Sequence, residues 1–166
     1  MKWSWSLIAV CLVLAPDGAI ARDCPAPYLC AFDGSWAAEG TSFGKPAHVT
    51  MRWAPAFDGK FARIDYRILT KTADGKDDVF EGTGFYRAQG NGAYDGTWFD
   101  SQGAMHPLEA SFTGTALTTH WGVKGKTYGR TVYTLSSADH VEVVDAIQDK
   151  EGEWKEFSRN TLKRTE

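Results

Sequence analysis

From about residue 34 onward, apolar and polar side chains alternate with period two in short segments. Val49, Met51 and Trp53 alternate with His48, Thr50 and Arg52, and Ala62, Ile64, Tyr66 and Ile68 alternate with Phe61, Arg63, Asp65 and Arg67. Successive side chains of a strand point to opposite faces, so each segment acquires one apolar and one solvated side. Asp58-Gly59, Asp74-Gly75, Gly90-Asn91-Gly92 and Lys124-Gly125-Lys126 supply turns between them. The pattern predicts strands near 34–43, 48–54, 60–70, 77–88, 92–100, 104–113, 115–123, 126–136, 139–148 and 153–164. A meander of about ten strands with short links closes on itself, because closure removes exposed edges. The expected fold is therefore all-β, an antiparallel up-and-down barrel. Gly82, Gly84 and Gly96 fall inside strands, where they are expected to permit bends or close backbone approach.

The N-terminal residues follow another rule. Lys2, a mostly apolar run over 6–15 and the small-residue site Ala19-Ile20-Ala21 read as a secretory signal peptide, with a mature chain starting at Arg22. The run is shorter than the roughly 20 apolar residues that a membrane-spanning helix needs. Residues 1–21 are thus expected to be a signal peptide, 22–32 a cysteine-containing lead-in and 33–166 the barrel, in a periplasmic or secreted protein. Ala21-Arg22-Asp23 before Cys24 lacks the small-residue pattern of a lipid-anchoring site. Cys11 would leave with the signal, so Cys24 and Cys30 remain for an oxidising compartment and are expected to form a disulfide. Their spacing fits neither C-x-x-C redox chemistry nor a zinc knuckle. With a net charge of −3 and scattered basic residues, nucleic acid is not an expected partner.

The segment Asp33-Gly34-Ser35-Trp36 resembles the G-x-W signature of lipocalin-like (calycin) barrels. That resemblance implies structural roles for Gly34 and Trp36 and a stacking partner for Trp36 on the last strand, either Arg159 or Arg164. The run Gly34 to Thr41, the run Tyr94-Asp95-Gly96-Thr97-Trp98-Phe99-Asp100 and Glu156-Phe157-Ser158-Arg159 resemble an exported bacterial family of lipocalin-like proteins. The likeness covers roughly residues 33–164 and carries no activity with it. Nitrobindin-like haem barrels are more distantly similar and use a histidine near the C-terminal strand as iron ligand. The segment 153–164 contains no histidine, so no haem or other cofactor is expected.

Candidate ligand contacts come from rings and charges sharing strand parity. Tyr94, Trp98 and Asp100 share one parity and Tyr128 and Arg130 another, while Tyr66 and Glu81 are further candidates. Facing inward, they would give a lumen with aromatic contact area and a charge to orient a ligand. Arg63 and Asp65 alternate with the apolar set and are expected in solvent. His48, His106, His120 and His140 fall on separate segments without metal-binding spacing, and no metal is expected. No G-x-S-x-G motif occurs, and Glu39, a possible acid or base, has no identifiable partner. The function expected is binding of a small amphipathic molecule in the lumen. The alternatives are an isomerase or hydrolase using Asp100 or Glu81 in the same cavity, or a filled barrel acting on another protein through its surface.

Intact mass spectrometry of the exported protein, with and without reduction, is expected to show a chain beginning at Arg22 with Cys24 bonded to Cys30. Two alkylatable thiols in unreduced exported protein would contradict this.

Overall fold

Ten strands carry the predicted alternation around a closed ring. In the computed structural model, which describes residues 28–165, they are β1 (Gly34–Ser42), β2 (Lys45–Ala56), β3 (Phe61–Lys71), β4 (Asp77–Gly90), β5 (Ala93–Asp100), β6 (Met105–Thr113), β7 (Ala116–Gly122), β8 (Tyr128–Ser137), β9 (His140–Gln148) and β10 (Trp154–Arg164). The order is up-and-down and fully antiparallel, and β1 closes the ring on β10 through the register pairs Trp36↔Arg164 and Ala37↔Lys163. The segment predictions agree with these strands to within a few residues, which the strength of the period-two signal explains. The expected signal sequence, its expected cleavage site, Arg22 and Cys24 lie outside the described residues. No helix among the described residues is long and apolar enough to cross a membrane.

The inner face collects one parity of every strand. Val49, Met51 and Trp53 of β2, Ile64 and Tyr66 of β3, Leu117 of β7, Val141 and Val143 of β9 and Leu162 of β10 are all buried. The other parity carries ion pairs such as Arg63 with Asp65, Arg67 with Glu81 and Arg87 with Asp95. An apolar inside and a charged outside reverse the arrangement of a membrane-spanning barrel.

One end of the barrel is sealed by the chain's own lead-in. A 3-10 helix, Leu29–Phe32, buries Leu29 and Phe32 completely, and the Phe32 ring packs 5.6 Å from Trp53 and 6.2 Å from Tyr133. Trp36 Nε1 donates 2.7 Å to the Phe32 carbonyl. The Arg164 guanidinium lies 4.0 Å from the Trp36 ring centre and donates to the carbonyls of Ala31 (3.2 Å), Ala138 (3.0 Å) and Asp33. Arg164 is thus the last-strand partner of Trp36. Arg159 is not: it lies on the outer face, bonded to Glu142 and Glu156, because β10 side chains at even and odd positions point to opposite sides.

The strand glycines make room for rings rather than only for curvature. A Cβ on Gly82 would stand 1.9 Å from Trp98, and one on Gly129 would stand 2.0 Å from Trp121, so each indole lies flat against a neighbouring strand's backbone. Gly96 brings β5 against the Phe85 carbonyl, which a Cβ would meet at 2.0 Å.

Replacing Trp36 by alanine is expected to lower stability by about 3–5 kcal/mol, as truncation of a large buried aromatic does. Denaturant unfolding measures it, and a loss within about 0.5 kcal/mol, the range of surface substitutions, would show that Trp36 does not anchor the sealed end.

Candidate functional site

Inward positions on β3, β4 and β7 to β10 bring a polar cluster into the apolar interior. Thr119, Thr131, Asp145, Ser158 and Asn160 are all buried, as are the rings of Tyr66, Tyr86 and Tyr133. The register places Thr119 beside Thr131, Thr131 beside Asp145 and Asp145 beside Ser158, so the small polar residues form a row across four adjoining strands. Asp145 is the one charged residue among the buried described residues.

A donor chain leads into that carboxylate. Trp121 Nε1 donates to Thr131 Oγ1 at 3.2 Å, and Thr131 Oγ1 donates to Asp145 Oδ1 at 2.7 Å. The neighbouring Ser158 hydroxyl lies 3.4 Å from the Thr41 carbonyl and also acts on the Asp145 carboxylate, and Asn160 is tied to the same strand, with Nδ2 donating to Thr41 O and Oδ1 accepting from Thr41 N. Asp145 Oδ2 is left without a hydrogen-bond partner among the described residues. So is the hydroxyl of Tyr66, which approaches the interior from β3. Going round the ring, β3 and β9 are separated by β2, β1 and β10, which is four steps of ten, so the two groups stand on nearly opposite walls.

Burial dominates the electrostatics of this cluster. It pushes the Asp145 carboxyl up to about 6, while the Thr131 and Ser158 hydroxyls act in the opposite direction. Burial and then the Asp145 charge hold the Tyr66 phenol well above its ordinary range. Tyr86 is pushed up to about 12, chiefly by burial and against its 3.3 Å hydrogen bond with Thr119. Tyr133 is likewise raised by burial and then by the nearby Tyr86 and Asp145. Each shift disfavours charge in the interior.

The structure divides the residues proposed from sequence. Tyr66, Tyr94 and Trp98 face inward; Tyr66 lies within the field of Asp145, and Trp98 covers Gly82 and Gly84. Asp100 shares the inward parity, but its Oδ1 accepts from the backbone N–H groups of Gln102 and Ala104, both at 3.0 Å, and closes the β5–β6 turn. Glu81 lies on the outer face and accepts from Arg67 at 3.0 Å. Tyr128 and Arg130 also face outward: Tyr128 stacks on His120, and the Arg130 guanidinium lies 4.6 Å from the Trp154 ring centre. Shared parity put Tyr128 and Arg130 on one face, but that face is the outer one, because Gly129 and Thr131 hold the inward positions of β8. His106 turns inward beside Trp121, whereas His48 bonds Glu39 on the outside.

Asp145 and Thr131 escaped the sequence reading. The available signal was a carboxylate two residues after Val143, at the parity of Val141 and Val143. Val144 and Ala146 on the other parity obscured it. The outer wall has a concavity of its own, about 650 Å³, crossed by the register row Ser35, Arg52, Asp65, Thr83 and Phe99.

The chain matches no protein-family model and no curated protein. Among solved structures it is similar to Rv2717c from M. tuberculosis, at 16% identity and a TM-score of 0.62, over 85% of this chain and 99% of that one. A redesigned β-barrel (16% identity, TM-score 0.44, 87% and 98% covered) and a de novo designed fluorescence-activating β-barrel (20%, 0.40, 84% and 96%) are weaker likenesses. The first of these likenesses supports the barrel fold and nothing finer.

The Asp145 environment predicts a pH effect on stability. The folded chain holds this proton with a value near 6 and the unfolded chain with one near the usual carboxylate value of about 3.9, so between those limits the folded state binds more protons. Stability contributed at this site is therefore present below about pH 4 and lost as pH rises through 6, a fall of about 3 kcal/mol. Exposed carboxylates held low by partners, such as Asp95 beside Arg87, act in the opposite sense and at more acid pH. Denaturant unfolding across this range is expected to show the decline in the wild-type protein and a flatter profile in Asp145→Asn, the variant being the more stable at neutral pH.

Proposed function

We propose that this chain is an exported, lipocalin-like barrel that binds a small amphipathic molecule in its lumen. The reading rests on one observation above all: the Tyr66 hydroxyl and Asp145 Oδ2 are buried, unpartnered and on nearly opposite walls of the same interior. An unsatisfied buried polar group costs about 1–3 kcal/mol, and more when charged. A ligand carrying polar hydrogens removes that cost, which gives the lumen an affinity that a purely apolar interior lacks. Barrel width grows with strand number, and about eight strands already enclose side chains or one small ligand, so a ring of ten has the greater span. Trp98, Trp121 and the tyrosine rings supply apolar contact area around the polar pair. The end opposite the 3-10 helix, ringed by the β1–β2, β3–β4, β5–β6, β7–β8 and β9–β10 turns, is the route of access in this reading.

A second reading is favoured by the outer concavity. Phe99 at its edge and the neighbouring Met105 are exposed, as a barrel acting on another protein through its surface would have them.

A thermal-shift screen of amphipathic molecules, followed by tryptophan fluorescence titration, separates the two. In the lumen reading, Tyr66→Phe and Asp145→Asn weaken the hits by at least about tenfold, as the loss of a buried hydrogen bond does, and Asp95→Asn on the outer face changes nothing. Hits abolished by Arg52→Ala and indifferent to Tyr66 and Asp145 would move the function to the outer surface.

A further inference from the structure

Charged and apolar side chains are unevenly shared round the end of the barrel opposite the 3-10 helix. We infer that the β7–β8, β9–β10 and β1–β2 turns dock this protein on an anionic lipid surface, lysines meeting the headgroup phosphates and Phe43 entering the acyl boundary. The inference is independent of what the lumen binds.

The three turns are neighbours, because β10 pairs with both β1 and β9, and β9 with β8. With their flanks, residues 122–128, 148–155 and 42–45, they carry Lys45, Lys124, Lys126, Lys150 and Lys155 against Asp149, Glu151 and Glu153. The other turns of this end, residues 71–78 and 100–105, have the opposite balance, two lysines against four aspartates. One arc of the rim is therefore cationic and the other anionic, which orients the molecule at a charged surface.

The cationic arc also has room for a headgroup. Between the β7–β8 and β9–β10 turns lies a cleft of about 740 Å³, lined by Lys124, Lys126, Lys150 and Tyr128. The three ammonium groups have no partner among the described residues. Asp149 and Glu151 share the cleft. Asp149 is already engaged: Oδ1 accepts from the backbone N–H groups of Glu151 at 3.1 Å and Glu153 at 2.8 Å, and Oδ2 lies 3.4 Å from Lys155 Nζ. Glu151 offsets one lysine, so the cleft keeps a positive surplus for a phosphate.

Apolar side chains gather at the same end. Six of the eight exposed large hydrophobic residues among the described ones lie within three residues of its turns, and only Tyr28 and Phe57 lie at the sealed end. On the cationic arc, Val123, Ile147 and Phe43 are 49%, 37% and 71% exposed. Phe43 occupies a costly place. It and Gly44 have φ of 47° and 72°, the two-residue hairpin turn that favours Asn-Gly and penalises a bulky first residue. In return the ring gains a stack on Phe157, 4.5 Å away, yet it stays the most exposed of the large hydrophobic residues described. Tyr128 and Trp154, 5.7 Å apart at the starts of β8 and β10, add the amphipathic rings that sit at headgroup level.

This pattern fits a lipid surface better than a protein. A stable protein partner covers about 800 Å² of continuous surface, whereas these apolar tips stand on three separate turns with lysines between them. A fluid interface conforms to separate tips and offers an anion to every lysine. Farther from the rim the outer wall is charged, with Arg159 bonded to Glu142 and Glu156, which limits the contact to the turns.

The test is flotation of the protein purified after export, its mass checked to exclude the apolar run over 6–15, which would partition by itself. Phosphatidylcholine vesicles containing about 30% phosphatidylglycerol are expected to bind it at least about tenfold more tightly than phosphatidylcholine alone. Lys124→Gln combined with Lys126→Gln should lower that affinity by at least about tenfold, each lysine at such a surface being worth about fivefold. Lys60→Gln combined with Lys163→Gln removes the same charge from the sealed end and should leave affinity within about twofold, since these sites lie beyond a screening length of about 8 Å. Phe43→Asn suits the turn, so the unfolding midpoint should show a folded protein, while vesicle affinity falls by at least about tenfold with the loss of a buried ring. Equal binding to both vesicle types, equal losses from the two lysine pairs, or full binding by Phe43→Asn would each overturn the inference. Displacement by millimolar glycerol phosphate would also overturn it and make the cleft a site for small anions. If neither vesicle binds, the docking inference falls and the arc is left to an acidic protein partner.

Discussion

The contact between β1 and β10 is where this barrel is decided. Nine of the ten strand pairings join neighbours in sequence, which short turns bring together at little entropic cost. The tenth joins the chain's two ends, and its register rests on two pairs, Trp36 with Arg164 and Ala37 with Lys163. Arg164 makes this short seam hold more than backbone hydrogen bonds. Its guanidinium covers Trp36 and gathers carbonyls from the 3-10 helix region, the start of β1 and the β8–β9 turn. A planar fork with five donors can do this, whereas a lysine ammonium could not span the same set in one plane. With the seam closed, no edge remains, and the inward parity of every strand becomes an interior.

That interior contains one charged residue among the buried described residues. The wall is apolar from Val49 and Ile64 round to Val143 and Leu162, yet Asp145 sits among them, its Oδ1 accepting from Thr131. Outer ion pairs such as Arg63 with Asp65 are solvent-screened and contribute little to stability. Asp145 is different in kind. Its burial makes it a liability in the folded chain at neutral pH. An asparagine there would remove the cost of the buried charge.

A local irregularity governs which side chains share that lumen. Between Glu156 and Ser158 the register with β9 shifts by one residue, with Phe157 the extra one. Such a bulge re-aims every side chain beyond it. Trp154 and Glu156 on one side of it point outward, where Trp154 lies under Arg130, while Ser158, Asn160 and Leu162 point inward. The Phe157 ring, left over by the shift, stacks 4.5 Å from Phe43 at the tip of the first hairpin. One inserted residue thus joins the end of the barrel opposite the 3-10 helix and completes the polar row around Asp145.

The sequence by itself determined the strands, their number and their antiparallel meander, because period-two alternation and turn residues are local properties that each segment carries. It also marked Trp36 as an anchor and left its partner open between Arg159 and Arg164. Only the tertiary structure chose Arg164, since the choice depends on which β10 residues face inward at the seam. The same reason separates the ligand-site residues. Tyr94, Trp98 and Asp100 were legible as sharing a face, as were Tyr128 and Arg130, but alternation fixes which residues go together and not which side the group takes. On β5 that face is the lumen; on β8 it is the outside. Asp145 was hidden for a related reason, because β9 has apolar residues on both parities, Val143 beside Val144, and only closure shows that Val143 and Asp145 are inside while Val144 is not. A face acquires its meaning from the strand opposite, and that strand is brought there by the fold.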